Sequence, residues 1–392
     1  MYRRLWLYLL LVVLCGSVSA DVNLNVGFNR GYDDNLFKDS TDQIAPYSKA
    51  NASVSYDPFS FLQLKGHQEL TYYGRFHDLS NTLWGLNSVW LPTRANTTLS
   101  AFIQAGWDMR TYGVSLEGYN STTIEVKAAA GYQFKENVNY RMGVKVKANR
   151  YPSDSTDSDN TQLEFFSGIN MTFLGSNSLD IEAGWGNSDY KFVDALIYPE
   201  MPEFPSGAPV DADSVLTDGD FNSVYISPRF SRPVGSKTGI SLIYQYRHFQ
   251  LSDNAVVLGS SIPFLSPWNA FYDGSSVQLR VKTHLVPRLI ISAGAGYWDK
   301  TYLRTVELYE LLMYPDIPEI TYWETRYGRL DEALRREDWQ SKLYVEIQRP
   351  IKIDNGFMAD FSASVQYEDN RSSIDRYDYT CWTILCGVSF KR

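Results

Sequence analysis

The sequence predicts an all-β protein: a transmembrane antiparallel β-barrel of about 16 strands, with short periplasmic turns and long extracellular loops. Three observations predict this fold. Apolar and polar residues alternate along many segments, the links between those segments alternate in length, and aromatic residues fall near both ends of the segments. Each observation is typical of a chain that crosses a bilayer with strands.

The alternation is clearest in the segment from Gly356 to Tyr367. Successive side chains of a strand point to opposite faces, so a period of two gives one apolar and one polar face. About 11 residues is the length of a tilted membrane-crossing strand. We therefore expect the apolar set to face lipid and the polar set to face the lumen, with Ile351 to Asn355 as the tight link to the preceding strand. The apolar set is Phe357, Ala359, Phe361, Ala363, Val365 and Tyr367, and the polar set is Met358, Asp360, Ser362, Ser364 and Gln366.

The same pattern recurs from Asp21 onward and predicts sixteen strands, an even number as single-chain bacterial barrels have. Candidate strands are 22–31, 46–57, 61–76, 82–91, 96–112, 121–134, 138–151, 161–174, 178–191, 221–233, 238–251, 274–286, 288–303, 337–349, 356–369 and 379–390.

The links between these strands alternate between short and long. Links that follow even-numbered strands are short, such as Pro92 to Ala95, whereas links that follow odd-numbered strands are mostly longer. The two longest are 192–220 and 304–336. Outer-membrane barrels place short turns in the periplasm and long loops outside, so the parity predicts a periplasmic amino terminus.

Aromatic residues form two predicted belts on the lipid-facing parity, where the rings meet the membrane interfaces. The outer belt is Trp107, Trp185, Tyr297, Trp339, Tyr367 and Trp382, and the inner belt is Tyr56, Trp90, Phe134, Tyr140, Phe173, Phe230 and Phe390.

The amino terminus has the three-part layout of a secretory signal: Arg3 and Arg4, an apolar run from Leu5 to Leu14, and small residues up to Ala20. We expect residues 1–20 to be a cleaved signal peptide and 21–392 to be the barrel. A mean hydropathy of −0.29 would by itself suggest a soluble protein. Half of each barrel strand is polar, however, so this test does not exclude a barrel. The spacing of Cys381 and Cys386 puts them on opposite faces of one strand and disfavours a disulfide.

Charged residues of both signs fall on the parity that faces the lumen. A basic ladder in strand 138–151 lies beside acidic residues of the next two strands, so we expect cross-strand ion pairs of roughly 0.2 to 1 kcal/mol each. Two interpretations stay open: a hydrated wall held by ion pairs, or a pore with a slight preference for anions. The predicted pore-lining residues are Arg141, Lys145, Lys147, Glu164, Asp180, Glu182, Arg280, Lys282, Lys342 and Glu346.

The two longest links share a nine-residue pattern, L-Φ-Y-P-[DE]-Φ-P-E-Φ, at 196–204 and 312–320. Because exposure of this many apolar residues to water is unfavourable, we expect both loops to fold inward as a lid or constriction. The alternative is a pad that contacts a partner protein. The constriction would be formed by Tyr198, Pro199, Glu200, Tyr314, Pro315 and Asp316.

The heptapeptide Gly31-Tyr32-Asp33-Asp34-Asn35-Leu36-Phe37 follows the first predicted strand. It resembles the G-Y-D-x-N-[VL]-[FY] opening of bacterial outer-membrane porin-like barrels, some of which are linked to polysaccharide export. The resemblance implies a porin-like barrel. The same residues are also consistent with a simple turn, because Asp and Asn are turn formers.

No catalytic pattern stands out in the sequence. The four histidines, His67, His77, His248 and His284, are scattered, and the chain has no G-x-S-x-G, phosphate loop or metal-spaced histidine pair. We therefore expect no enzyme activity, no metal and no cofactor.

The resulting prediction is a porin-like channel for passive passage of hydrophilic solutes in the outer membrane of a Gram-negative bacterium. Two alternatives stay open: a polysaccharide export pore, and a barrel that sheathes a partner such as a multihaem cytochrome. Expected partners are the outer-membrane lipid, the barrel-assembly machinery, and a small hydrophilic solute or polysaccharide. A second copy of the chain and a periplasmic protein stay open as partners, and no nucleic acid is expected.

Overall fold

A computed structural model places seventeen strands among the residues it describes. The described residues are 22–38, 43–92, 98–151, 159–174, 176–193, 216–250, 256–258, 271–286, 288–306, 334–354 and 356–391. The strands are β1 (Val22–Asp33), β2 (Ala45–Phe59), β3 (Leu62–Tyr73), β4 (Asn81–Trp90), β5 (Leu99–Tyr112), β6 (Ser121–Lys135), β7 (Val138–Arg150), β8 (Asn160–Phe173), β9 (Asn177–Val193), β10 (Leu216–Val234), β11 (Thr238–Gln250), β12 (Val256–Leu258), β13 (Tyr272–Val286), β14 (Leu289–Val306), β15 (Leu334–Asp354), β16 (Phe357–Ser372) and β17 (Tyr379–Lys391).

Sixteen of these strands close into an antiparallel barrel. Each long strand pairs with its sequence neighbours, and β1 pairs with both β2 and β17, as in the pair Asn25 and Lys391. Closure leaves no unpaired edge, which a strand structure in a bilayer requires. The predicted fold class and the sixteen predicted strands are confirmed. The short β12, which the sequence pattern did not predict, pairs in parallel with the end of β14.

Several strands run further than the alternation predicts. The β9–β10 ladder continues to the pair Leu216 and Val193, which lie within the predicted loop 192–220. Strand β14 continues to Val306 and β15 begins already at Leu334, so both enter the predicted loop 304–336. Backbone hydrogen bonds hold these extensions, and beyond the bilayer no lipid imposes an apolar face.

One predicted turn has different bounds in the structure, and a second falls largely outside the described residues. Ile351 to Asp354 is part of β15, and Asp354 pairs with Phe357. The predicted link Ile351 to Asn355 is therefore wrong in its bounds, because Gly356, with φ of +94°, makes a tighter turn. β5 begins at Leu99 among the described residues, and the start at 96 that the sequence predicts lies outside them, as do most residues of the predicted turn Pro92 to Ala95.

The two faces of the wall differ as the alternation predicts. On β15 and β16, Leu343, Phe361 and Val365 are exposed on the outside, whereas Gln340 and Glu368 are buried on the inside. Most rings of both predicted belts, including Trp185, Trp339 and Phe134, are exposed on the outer face. No helix of the described residues is long and apolar enough to span a membrane.

The apolar core inside the barrel sits at the end that carries the longer loops. After β1, the segment 34–38 places Leu36 against Ala45 and Leu79, with Phe37 and Phe76 packed against them. The rings of Phe37 and Phe76 meet edge to face at 5.2 Å. Short 3-10 segments, His77–Leu79 and Val114–Tyr119, lie in the next two loops. We call this the outer mouth; here the chain's own loops fold against the inner wall.

Candidate functional site

The first polar network of the inner wall is built around Arg141 on β7. Its guanidinium donates to Asp180 Oδ2 at 3.2 Å and to Glu182 Oε2 at 2.9 Å, both on β9. Strand β8 lies between, and Gly168 occupies the crossing point, where a Cβ would lie 3.2 Å from Arg141 Nε. The absence of a side chain at Gly168 is what lets Arg141 reach across a strand.

A second side chain crosses the wall in the opposite direction. The hydroxyl of Tyr225 on β10 lies 3.1 Å from Glu164 Oε1 and 3.0 Å from Glu182 Oε1, and its single proton donates to one of them at a time. Tyr225 passes over Gly184, where a Cβ would lie 2.3 Å from the ring. Lys145 completes the group at 3.9 Å from Glu164. We call these residues the mid-wall network.

The second polar network lies below the outer mouth and centres on Glu368 of β16, whose side chain is 1% exposed. Glu368 pairs with Lys38 at 3.0 Å and with Lys342 at 3.1 Å, and it accepts a hydrogen bond from Gln340 at 2.6 Å. The hydroxyl of Tyr379 also donates to it. We call this the mouth network.

Lys38 joins the segment 34–38 to this network. Burial alone would lower the pKa of Lys38, but the charge of Glu368 and its hydrogen bond outweigh burial, and the pKa stands above its ordinary value. Lys38 is therefore charged at neutral pH, and it fastens the segment to the barrel wall.

Cations stacked on aromatic rings extend the mouth network round the wall. Arg336 pairs with Asp338 and lies 4.1 Å from the ring centre of Tyr302 and 3.7 Å from that of Tyr377. Lys300 donates to Gln340 at 2.7 Å. These contacts give the mouth a dense polar lining.

Six of the ten predicted pore-lining residues on the inner face of the wall belong to the two networks described above. Arg141, Lys145, Glu164, Asp180 and Glu182 form the mid-wall network. Lys342 belongs to the mouth network.

The remaining four predicted residues lie elsewhere on that face. Arg280 and Lys282 are exposed on β13, where Arg280 donates to Gln278 at 2.9 Å. Glu346 accepts a hydrogen bond from Gln348 at 2.7 Å, and Lys147 lines a cavity together with Glu125.

The predicted constriction residues Tyr198, Pro199, Glu200, Tyr314, Pro315 and Asp316 lie outside the described residues, as does the predicted signal peptide 1–20.

Glu368, Tyr225 and Lys38 were missed by the sequence reasoning. Glu368 has the same parity as Asp360 in a predicted strand, and Tyr225 lies on the inner parity of another, so the period of two could have found both. Lys38 follows the strand, where no periodicity applies, and no sequence signal indicates its contact.

The residues of the Gly31–Phe37 heptapeptide do more than make a turn. The backbone N–H of Asn35 donates to Asp33 Oδ1 at 3.0 Å, a local bond typical of Asp-containing turns. Leu36 and Phe37 then enter the apolar core of the mouth. The segment is thus both a turn and part of the packing of the mouth.

One group of possible metal ligands occurs among the described residues, formed by Asp33, Asp34 and Cys381, whose ligand atoms lie within 4.8 Å of one another. Asp33 already accepts hydrogen bonds from Cys381 Sγ at 3.1 Å and Thr383 Oγ1 at 3.3 Å. These contacts within the chain account for the group without a metal.

Solved structures of outer-membrane barrels share the architecture. CdiB from Acinetobacter baumannii superposes with a TM-score of 0.51 at 10% identity, over 95% of this chain and 60% of that one. The outer-membrane protein OpdK from Pseudomonas aeruginosa gives a TM-score of 0.48 at 10% identity, over 96% of this chain and 100% of that one. OprD from Pseudomonas aeruginosa gives 0.45 at 10% identity, over 95% of each chain.

No protein-family model matches the chain, and no curated protein matches it. At these identities the likeness shows the fold, that of an outer-membrane β-barrel.

Proposed function

We propose that the chain is an outer-membrane channel for passive passage of hydrophilic solutes. The observation that carries this proposal is the contrast between the two faces of a closed wall. Large apolar side chains such as Leu343 and Phe361 are exposed outside, whereas Arg141, Glu182 and Arg280 lie inside. A closed wall with an apolar outer face for lipid and a polar inner face for water is what a water-filled bore requires.

The number of strands supports a bore rather than a filled core. Small barrels of about eight strands are filled by their own side chains, whereas about sixteen strands leave room for an aqueous channel. The segment 34–38 narrows this bore at the mouth, and the repeated loop patterns at 196–204 and 312–320 are proposed to narrow it further.

The charges of the inner wall support a slight preference for anions. Acidic partners neutralise Arg141 and Lys145, but Arg229, Arg280 and Lys282 are exposed on neighbouring strands β10 to β13. No ion pair within the described residues neutralises these three cations, and exposed cations along a bore raise the local concentration of anions.

A non-enzymatic role fits the described histidines. His67 lies 3.2 Å from Asp108 and His248 lies 3.1 Å from Asp273, at separate places in the barrel, and neither pair is joined to a serine or cysteine nucleophile by a described contact. We therefore propose that transport requires no catalysis by this chain.

Single-channel recording in a planar bilayer with a salt gradient tests the proposal. We expect stable conductance steps with a reversal potential that favours anions. The double variant Arg280→Gln, Lys282→Gln should shift this potential towards cations. Arg30→Gln is a matched control, because it removes one positive charge from the outer face of β1 and should not shift the potential.

If the folded barrel shows no conductance, the repeated loops are tested next. Deletion of 196–204 and 312–320 should then produce conductance if those loops close the bore. A folded barrel that stays silent in both forms would contradict the channel and favour the sheath around a partner protein.

A further inference from the structure

A side cavity of about 380 Å³ opens on the inner wall between β4 and β7, away from the exposed cations of β10 to β13. A second hollow of about 180 Å³ adjoins it and shares Asp108, Thr123 and Glu125. Pockets for small ligands begin at roughly 300 Å³, so the larger cavity can hold a compact solute.

Two glycines beside the cavity let neighbouring side chains lie against the wall. Gly85 on β4 faces Asp108, and Gly106 on β5 faces Glu125 in the strand register. A Cβ at Gly85 would lie 2.1 Å from Asp108 Oδ1, and one at Gly106 would lie 2.7 Å from Asn87 Oδ1. At both positions neighbouring side chains occupy the space above the glycine, so they lie close to the wall: Asp108 and His67 at Gly85, and Asn87 at Gly106.

Four charged side chains line the cavity, and their formal charges cancel. Asp108 and Glu125 are acidic, and Arg110 and Lys147 are basic. Among the described residues, no ion pair within 4.0 Å joins any two of these four; Asp108 instead lies 3.2 Å from His67. Apart from Asp108 Oδ1, which contacts His67, their donors and acceptors have no described ion-pair partner and can bind a ligand, and together the four charges leave the cavity without a net formal charge.

Aromatic rings close the side of the cavity nearest the mouth. Tyr112, Tyr119 and Tyr151 line it. Asn120 Oδ1 accepts from the backbone N–H of Tyr112 at 2.6 Å, and Asp159 Oδ1 accepts from that of Tyr151 at 2.7 Å. Burial raises the pKa of the Tyr151 hydroxyl above its ordinary value, so it stays a neutral donor.

We propose that this cavity binds a neutral polyhydroxylated solute of the size of a sugar ring. A ring with an apolar C–H face and a rim of hydroxyls suits tyrosine rings on one side and charged hydrogen-bonding groups on the other. An ion would lose its hydration in a cavity whose formal charges cancel, and an apolar ligand would leave all four charged side chains without hydrogen bonds from it.

The proposal deepens the channel function by naming a solute class, and it rests on that function only for its role in transport. Binding itself can be measured on the refolded full chain in detergent without any conductance. Failure of the two proposals can therefore be told apart: a silent channel that binds sugar contradicts only the channel, and a conducting channel without binding contradicts only the site.

Isothermal titration with three ring compounds of one size tests the site. Glucose is neutral, glucuronate carries a negative charge, and glucosamine carries a positive charge at neutral pH. We expect glucose to bind about tenfold more tightly than either charged analogue, since a charged group loses hydration on entry and the cavity, with two acidic and two basic side chains, offers no net opposite charge to offset that loss. Equal or tighter binding of glucuronate, or no saturable binding of glucose, would overturn the proposal.

Two variants locate the binding. Glu125→Gln and Tyr119→Ala should each weaken glucose binding by about tenfold, through a lost charged acceptor and a lost ring. Glu346→Gln is the matched control, because Glu346 also faces inward but lies eight strands away in the ring of sixteen. Equal weakening by the control, in barrels that fold alike by circular dichroism, would place the binding elsewhere and overturn the proposal.

Discussion

The mid-wall network and the mouth network both join cations to carboxylates across strands, but they differ in burial. At mid-wall, Arg141 and Glu182 keep 35% and 30% of their side-chain surface exposed. At the mouth, Glu368 keeps 1%. Ion pairs open to water contribute little to stability, whereas removal of one partner of a buried pair leaves an uncompensated charge.

The difference indicates two roles for similar chemistry. At mid-wall the paired charges line a wet bore, and their exchange of partners with water has a low energetic cost. At the mouth, Glu368 fastens Lys38, and with it the segment 34–38, to the wall. The mouth network therefore determines the structure of the opening, whereas the mid-wall network lines the bore with charges that are largely paired.

The largest expected effect is at Glu368. Glu368→Ala should lower the free energy of unfolding by about 2 to 3 kcal/mol, because Gln340 and Tyr379 lose a buried acceptor and the half-buried Lys38 and Lys342 lose their charged partner. Guanidinium unfolding of the refolded barrel in lipid vesicles, followed by tryptophan fluorescence, measures the change.

Glu346→Ala is the control for that variant. Glu346 also lies on the inner wall, but it contacts only Gln348 in the described hydrogen bonds, and its removal should cost less than about 1 kcal/mol. Equal losses of unfolding free energy for the two variants would show that burial of Glu368 at the mouth does not contribute to stability.

An intermediate effect is expected at the crossing of Tyr225 over Gly184. Gly184→Ala would place a Cβ 2.3 Å from the tyrosine ring, so the ring must move and lose its contacts with Glu164 and Glu182. We expect a loss of about 2 kcal/mol in the same unfolding experiment.

Gly239→Ala provides the comparison, because a Cβ at Gly239 on β11 meets no atom within 4 Å. This variant should leave stability unchanged or raise it slightly, since alanine restricts the unfolded chain. If Gly184→Ala behaves in the same way, the ring is not held over the glycine.

The smallest effect is expected for Lys145 and Glu164, which lie 3.9 Å apart and are both partly exposed. A double-mutant cycle with Lys145→Gln and Glu164→Gln should give a coupling energy below about 1 kcal/mol that falls as salt is added. A salt-independent coupling above that value would mean that mid-wall charges are as shielded from water as Glu368.

Most of the fold could be predicted because a bilayer imposes one simple rule on every strand. Side chains such as Leu343 and Val345 must suit lipid, while Lys342 and Tyr344 must suit the interior. Apolar and polar residues therefore alternate along the strand with a period of two. Where the constraint ends, the prediction ends: the extensions of β9, β10, β14 and β15 are held by backbone bonds that any side chain permits.

The candidate site was predicted in part for the same reason. Parity placed Arg141, Asp180 and Glu182 on one face of neighbouring strands, and proximity then made their pairing predictable. It could not predict that Arg141 reaches past β8, because that depends on the register that brings Gly168 to the crossing point.

The sequence by itself thus determined the class of fold, the sixteen strands of the barrel and the two faces of the strands within the predicted bounds, since these follow from local alternation. Only the tertiary structure decided which residues meet across the barrel. Lys38 and Glu368 are separated by 330 positions in the chain and 3.0 Å in space. Their contact arises because closure of the ring brings β1 beside β17 and its neighbour β16. No local sequence pattern predicts how the barrel closes, because closure depends on the register of all the strands together.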